Sequence, residues 1–276
     1  MLQYKNLTFN NGVTIPQFGL GVFRSETGDE TANAVEWALE AGYRHIDTAK
    51  AYRNEGDVAE GIRRSGVKRE DIFITTKCST HDMQAKTARD GFNESLELLK
   101  TDYVDLYLLH WPTEFYMDAY EVLIDLYEQK KIRAIGVSNF QVHHLKTLEK
   151  HGYITPAANQ IELHPAFQNR EVKAYSEEKG IVVEAWSPLG GRDHLLLDNP
   201  VLNAIGEKYG KSAAQVIIRW HLQLGNVVIP KSVHKERIIQ NAEVFDFELS
   251  AEDMAAIAAL DTNQRAYWDP ERYGQE

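Results

Sequence analysis

One cysteine, Cys78, stands in the 276 residues, so the chain can close no disulfide within itself. That usage fits a reducing compartment. Positive charge is scarce: 30 Lys and Arg stand against 41 Asp and Glu, a formal net charge of −11. A surface of that sign repels phosphate backbones and anionic lipid, so neither nucleic acid nor a membrane is an expected partner. An anionic ligand would have to find a local basic pocket. No stretch approaches the roughly 18 apolar residues of a membrane span. The opening MLQYKNLTFNNG lacks an apolar core flanked by basic residues, so no signal peptide is read and the expected location is cytoplasmic. No Pro/Gly/Ser linker or low-complexity run divides the chain, and one domain over residues 1–276 is expected. Two chemical signatures are missing as well. There is no G-x-G-x-x-G phosphate cradle, and His143, His144 and His164 have no HExxH or comparable spacing, so no metal is expected.

What the chain does have is a recurring alternation of short apolar runs and helical periodicity. The runs are QFGLG (17–21), YRHID (43–47), DIFITTK (71–77), YVDLYLLH (103–110), IRAIGVS (132–138), AANQ (157–160), IVVEAW (181–186) and NVVIP (226–230). Several are apolar on successive residues, as parallel strands buried on both faces must be. Between them, TANAVEWALEAG (31–42) puts Ala34, Val35, Ala38 and Leu39 on one side and ends at Gly42. Ser212 with Gln215, and Ser250 with Asp253, read as capped helix starts, and Gly180 ends a helix just before IVVEAW. Eight strands separated by helices indicate a closed (β/α)8 TIM barrel, with a doubly wound open sheet as the alternative. The opening segment, turning at Asn10-Asn11-Gly12, reads as a hairpin plugging the barrel bottom or as a loose arm.

Active sites of such barrels lie at the C-terminal ends of the strands. The residues closing these runs are polar: Asp47, Lys77, His110, Ser138, Gln160 and Lys231, together with Trp186. Among them Asp47, Lys77 and His110, with Tyr52 five residues beyond Asp47, form a chemically coherent group. Reduction of a carbonyl needs a proton for the oxygen as hydride reaches the carbon. A phenol near its ordinary pKa of about 10 is a slow partner at neutral pH. A neighbouring ammonium, Lys77, is expected to lower that pKa, with Asp47 holding the ammonium charged and His110 polarising the carbonyl oxygen. Lys231 and Arg237, with Lys235 nearby, cluster at a helix start in an otherwise acidic protein. They suit a phosphate dianion, unless they pair with Glu236 or Glu243.

The motifs GYRHIDTAKAYRNE (42–55), LLHWP (108–112), GVSNF (136–140), NQIELHP (159–165), WSPLG (186–190) and IPKSVHKER (229–237) resemble the aldo-keto reductase superfamily in order and spacing over nearly the whole chain. The nearest likeness is to its short bacterial and protist members: 2,5-diketo-gluconate reductases, glyoxal reductases and prostaglandin F synthase-like enzymes. The resemblance implies a tetrad of Asp47, Tyr52, Lys77 and His110, and NADPH as cofactor. It places Ser138, Asn139 and Gln160 on the nicotinamide carboxamide and Trp186 stacked on the ring. Ser187 and Leu189 match a pyrophosphate strap, and Lys231, Ser232, Arg237 and Asn241 the 2′-phosphate site. It further implies a small carbonyl substrate met by Phe23, His110 and Trp111, with Tyr267 and Trp268 at the mouth or packed on the rim, and a monomer. Departures are visible too. Ser79 stands where relatives often carry an aromatic, which would widen the pocket, and the connection after Pro112 is short. Lys50 reads either as an attractor of acidic substrates or as an outward-facing solvated lysine. Cys78, alternating away from Lys77, reads as a buried inert thiol. Two other functions fit the same residues: a Schiff-base aldolase using Lys77, and a cofactor-binding regulatory barrel.

Overall fold

The apolar runs form strands because the chain covers both of their faces. The computed structural model describes residues 5–191 and 196–273. It opens with β1 (Asn6–Thr8) and β2 (Thr14–Pro16), an antiparallel hairpin with Leu7 opposite Ile15. Eight parallel strands follow: β3 (Leu20–Gly21), β4 (His45–Asp47), β5 (Phe73–Cys78), β6 (Val104–Leu109), β7 (Ile132–Ser138), β8 (Ala158–Glu162), β9 (Val182–Trp186) and β10 (Val227–Val228). Each pairs with its neighbour in chain order. The ends then meet: Phe18 bridges Val228, Gly19 N donates to Val228 O at 3.0 Å, and Val228 N donates to Gln17 O at 2.9 Å. The sheet is therefore a closed (β/α)8 barrel rather than an open doubly wound one. β3 and β10 are shorter than their apolar runs. At that seam Gly21 N still reaches Pro230 O at 3.4 Å, but Pro230 has no N–H with which to extend the ladder.

Among the described residues the helices are α1 (Asp29–Glu40), α2 (Glu55–Ser65), the short α3 (Thr80–Gln84), α4 (Ala88–Leu99), α5 (Tyr116–Glu128), α6 (Val142–Lys150), α7 (Arg170–Glu178), α8 (Pro200–Tyr209), α9 (Ala213–Gln223), α10 (Lys235–Ala242) and α11 (Ala251–Ala258). Their starts follow the capping chemistry read above. Ser212 and Gln215 form a reciprocal capping box on α9, and Ser250 and Asp253 do the same on α11. α1 buries Ala34, Val35, Ala38 and Leu39, and Gly180 turns the chain from α7 into β9 with φ +68°. Outward-facing strand residues and inward-facing helix residues form the main core, with Phe92 against Tyr107 at 4.8 Å and Phe18 against Tyr43 at 4.6 Å between ring centroids. Each fully buried side chain of this kind contributes roughly 1.5–3 kcal/mol.

The hairpin is a plug. Phe9 and Ile15 pack with Phe73, Leu106, Leu108 and Ala158 inside the barrel. The turn is sewn to the N-terminal ends of the strands by Asn10 Nδ2 donating to Pro156 O and Asn11 Nδ2 donating to Arg133 O, each at 3.0 Å. Residues 1–4 of the opening segment lie outside the described residues. With one end of the barrel sealed, the opposite rim is where polar side chains can gather. No helix of the described residues is long and apolar enough to cross a membrane.

Candidate active site

Parallel register brings the polar strand ends to one rim. Asp47 closes β4 opposite Thr75, and Lys77 lies two residues farther along β5 on the same inward face. Lys77 Nζ donates to both oxygens of Asp47 at 2.8 Å and to Thr48 O at 2.8 Å. Both side chains are almost entirely buried. Burial alone would lower the Lys77 pKa, but Asp47, Tyr52 and Glu184 outweigh it and hold the amine above the ordinary lysine range. Burial pushes the Asp47 carboxyl up against the opposing pull of Lys77 and Gln160. With both oxygens accepting from one amine, the pair is an ammonium–carboxylate.

A single helical turn, Lys50–Tyr52, follows β4, and the left-handed Arg53 (φ +59°) then redirects the chain into α2. The turn places Tyr52 over Lys77, whose Nζ lies 3.4 Å from the phenolic oxygen. His110, just beyond β6, is tied to β5 by its N–H to Cys78 O, and its ring centroid stands 5.6 Å from that of Tyr52. All four residues singled out in the sequence thus converge. One expectation is corrected. Lys77 does pull the Tyr52 pKa down, but burial, with Asp47 and Glu184, pushes it up to about 12. The phenol is therefore firmly protonated at neutral pH. Burial, then Lys77, holds His110 well below the ordinary histidine range and so neutral.

The residues matched to a nicotinamide site form one connected network beside this group. Gln160 Nε2 donates to Asp47 Oδ2 at 2.8 Å, so that amide is committed to Asp47. Ser138 Oγ donates to Gln160 O, Asn139 Nδ2 donates to His110 O, and Trp186 Nε1 donates to Asn139 Oδ1, at 2.9, 3.1 and 2.9 Å. Asn139 and Ser187 both take left-handed backbone, φ +66° and +49°. Leu189 is half-buried against the core. Across the rim Lys231, Lys235 and Arg237 are exposed while Ser232 and Asn241 are buried beside them. Among the described residues neither Lys231 nor Arg237 makes an ion pair, and Lys235 faces Glu40, so pairing with Glu236 or Glu243 is not what holds this cluster. Unpaired cations at a helix start, in a protein of net charge −11, fit a phosphate.

The mouth is aromatic. Phe23 lies 4.9 Å from Tyr52. Trp111 is covered by Tyr273, stacked at 4.0 Å, and by Trp268 at 6.4 Å, while Tyr267 meets Trp186 at 5.2 Å. The tail aromatics both line the mouth and pack on it. Other positions differ from expectation. Lys50 is neither free nor solvated: it pairs with Asp82 and Glu94 at 3.2 and 2.7 Å. Ser79 caps α3, accepting from Asp82 N and bonding the Asp82 carboxylate, so its hydroxyl is engaged in starting a helix. Burial pushes the Cys78 thiol up to about 12, so it is inert as read. The tail also brings Glu271 beside His143 and His144, within 4.8 Å, a grouping no local spacing could show. There His144 Nδ1 already accepts from Gln141 N.

Comparisons with known proteins agree on one family. The model described as "Aldo/keto reductase family" matches residues 17–262. A glyoxal reductase of Bacillus subtilis is 52% identical over 263 residues, 95% of this chain and 95% of that protein. A solved aldo-keto reductase from a deep-sea metagenome library superposes with TM-score 0.93 at 42% identity, covering 95% of this chain and 97% of the other. The Bombyx mori aldo-keto reductase, solved in complex with NADP, gives TM-score 0.91 at 34% identity, covering 99% and 98%.

The buried ion pair has a measurable energetic signature. Lys77→Met strands the Asp47 carboxylate and should cost about 3–5 kcal/mol in urea unfolding, with Asp47→Asn added to it recovering much of the loss. Simply additive losses would contradict the pairing. Because the folded-state pKa of Lys77 is raised, its contribution is complete below about pH 10 and falls away only as pH climbs through the folded value.

Proposed function

The chain belongs to the aldo/keto reductase family and is an oxidoreductase, and from that premise we propose that it reduces small aldehydes and ketones, dicarbonyls among them, with NADPH as hydride donor and Tyr52 as proton donor. The observation that carries this reading is the buried ammonium of Lys77, 3.4 Å from the Tyr52 oxygen and clamped by Asp47. NADPH supplies hydride when bound. The residues of the chain do the rest. Tyr52 holds the proton that the carbonyl oxygen must receive, and Lys77 stabilises the phenolate left behind. Asp47 keeps Lys77 charged and aimed. The neutral His110 imidazole, within reach of the same oxygen, polarises the carbonyl and fixes its orientation. Phe23 and Trp111 give an apolar mouth that excludes water from the exchange.

For the cofactor, Trp186 offers a stacking face. Ser138 and Asn139 supply side chains oriented by their mutual hydrogen bond, by the Gln160 carbonyl and by Trp186. The Gln160 carboxamide is held in place by its bond to Asp47, and Ser187 and Leu189 lie on the loop after β9. Lys231, Ser232, Arg237 and Asn241 suit a 2′-phosphate, which favours NADPH over NADH. The NADP-bound relative supports that choice, and the glyoxal reductase relative supports small dicarbonyls as substrates. A Schiff-base role for Lys77 is not proposed, because its hydrogen bonds to Asp47 and Thr48 keep it an ammonium without a free lone pair. A monomer acting in the cytoplasm completes the reading.

Tyr52→Phe should lower NADPH-dependent reduction of glyoxal by about 10²–10⁴-fold or more, while NADPH quenching of tryptophan fluorescence persists. Turnover near the wild-type rate would reject Tyr52 as donor. Arg237→Ala, which removes one charge-assisted contact, should raise the KM for NADPH about tenfold and leave that for NADH unchanged. Equal effects on both cofactors would reject a 2′-phosphate site at α10.

A further inference from the structure

A second carboxyl group lies inside the barrel near the Asp47–Lys77 pair. Alternation along β9 puts Val182, Glu184 and Trp186 on the inward face, and register sets Glu184 level with Gln160 on β8 and Val227 on β10. Its side chain is fully buried, with Oε1 3.7 Å from His45 Nε2. The His45 ring also meets Thr75 Oγ1 at 3.0 Å. On its other side it fits only because residue 19 is glycine: an added Cβ there would stand 2.6 Å from Nδ1. The groups facing Glu184 are His45 and Asp47 from β4, Lys77 from β5, Tyr52 from the one-turn helix, and the Gln160 amide from β8.

Charge counting decides the state of this cluster. One ammonium cannot compensate two buried carboxylates, and an unpaired buried charge costs several kcal/mol. One acid must therefore carry a proton. Asp47 accepts from Lys77 through both oxygens and from Gln160 as well. The Gln160 amide also lies alongside Glu184, but neither Glu184 oxygen makes a full hydrogen bond among the described residues. The proton belongs on Glu184. Burial, then Asp47, pushes that carboxyl up to about 8. Burial, then Lys77, pushes His45 down to about 3, so the imidazole does not take the proton instead.

We propose that Glu184 is a positioning residue for carbonyl reduction: a buried carboxylic acid whose proton keeps the charge around Tyr52 and Lys77 balanced, and whose ionisation weakens Tyr52 as a donor. The proposal rests on the assignment of Tyr52 as proton donor. Its sign follows from electrostatics. An added negative charge near Tyr52 raises the phenol pKa, because it opposes the phenolate. A weaker acid gives up its proton more slowly, so reduction should fall as pH rises through the Glu184 transition.

The test compares wild type with Glu184→Gln, which stays neutral at every pH. In infrared spectra of the cofactor-free protein, the protonated-carboxyl band of wild type should disappear between about pH 7 and 9.5. It should shift when glutamate carboxyls are labelled with carbon-13, and it should be missing from the variant. With saturating NADPH and glyoxal, wild-type kcat should fall about tenfold across that range, the factor carried by one pKa unit. In Glu184→Gln that alkaline limb should move up by at least one pH unit. Superimposable pH profiles, or no glutamate band in wild type at pH 7, would overturn the proposal and leave the Tyr52 assignment standing. An active Tyr52→Phe protein would instead remove the assignment while the infrared band still reported Glu184. If that variant does not fold, Glu184→Ala takes its place, because Glu55 is also a buried glutamate whose carboxyl is pushed up by burial and only loss of the band in a Glu184 variant separates the two.

Discussion

The bond between Lys77 and Asp47 is the constraint on which the rest of this site depends. An ammonium and a carboxylate taken out of water cost several kcal/mol each, and only close, multiply hydrogen-bonded geometry repays that cost. Here Lys77 reaches both Asp47 oxygens and Thr48 O at 2.8 Å, and Gln160 completes Asp47. That geometry requires β4, β5 and β8 to hold their register inside a closed barrel. It also fixes where a positive charge stands relative to Tyr52. From Gln160 the order passes on to Ser138 and Asn139, and through Asn139 to His110 and Trp186. The residues around Lys77 and the surface suited to a nicotinamide are thus one hydrogen-bonded unit.

Charge is arranged differently at the two ends of this unit. Around Tyr52 the buried groups sum to a neutral cluster only while Glu184 keeps its proton. At α10 the exposed Lys231 and Arg237 form a positive patch that no acid of the described residues neutralises. A protein of net charge −11 repels an anionic dinucleotide at long range. In the proposed function, the patch would supply attraction within about a Debye length of 8 Å at physiological salt.

Much of this was legible in the sequence, because the features concerned are local. Buried parallel strands write themselves as apolar runs, Ser212–Gln215 and Ser250–Asp253 are capping boxes within four residues, and Asn10-Asn11-Gly12 is a turn by composition. Strand-end polarity points to Asp47, Lys77 and His110, and Tyr52 joins them from five residues beyond Asp47. What the chain did not disclose depends on partners distant in sequence. Lys50 looked free because Asp82 and Glu94 lie over 30 residues away. Ser79 is different: its partner Asp82 lies three residues on, so the capping of α3 is a local S-x-x-D pattern that the sequence does contain. The Tyr52 pKa went the other way from expectation because burial, invisible in sequence, outweighs the Lys77 charge. Glu184 carried a usable signal, since it shares the inward face of β9 with Trp186, but its meaning appears only beside His45 and Asp47.

The central claim is that a substrate carbonyl is held between a phenol and a neutral imidazole above the buried ammonium. A crystal structure of the protein with oxidised cofactor and a carbonyl-bearing inhibitor measures this directly. The carbonyl oxygen should lie within about 2.6–3.2 Å of both the Tyr52 hydroxyl and the His110 ring, with Lys77 still bonded to Asp47. A carbonyl oxygen bound away from Tyr52, or a Lys77 amine turned from Asp47 toward the ligand, would contradict it.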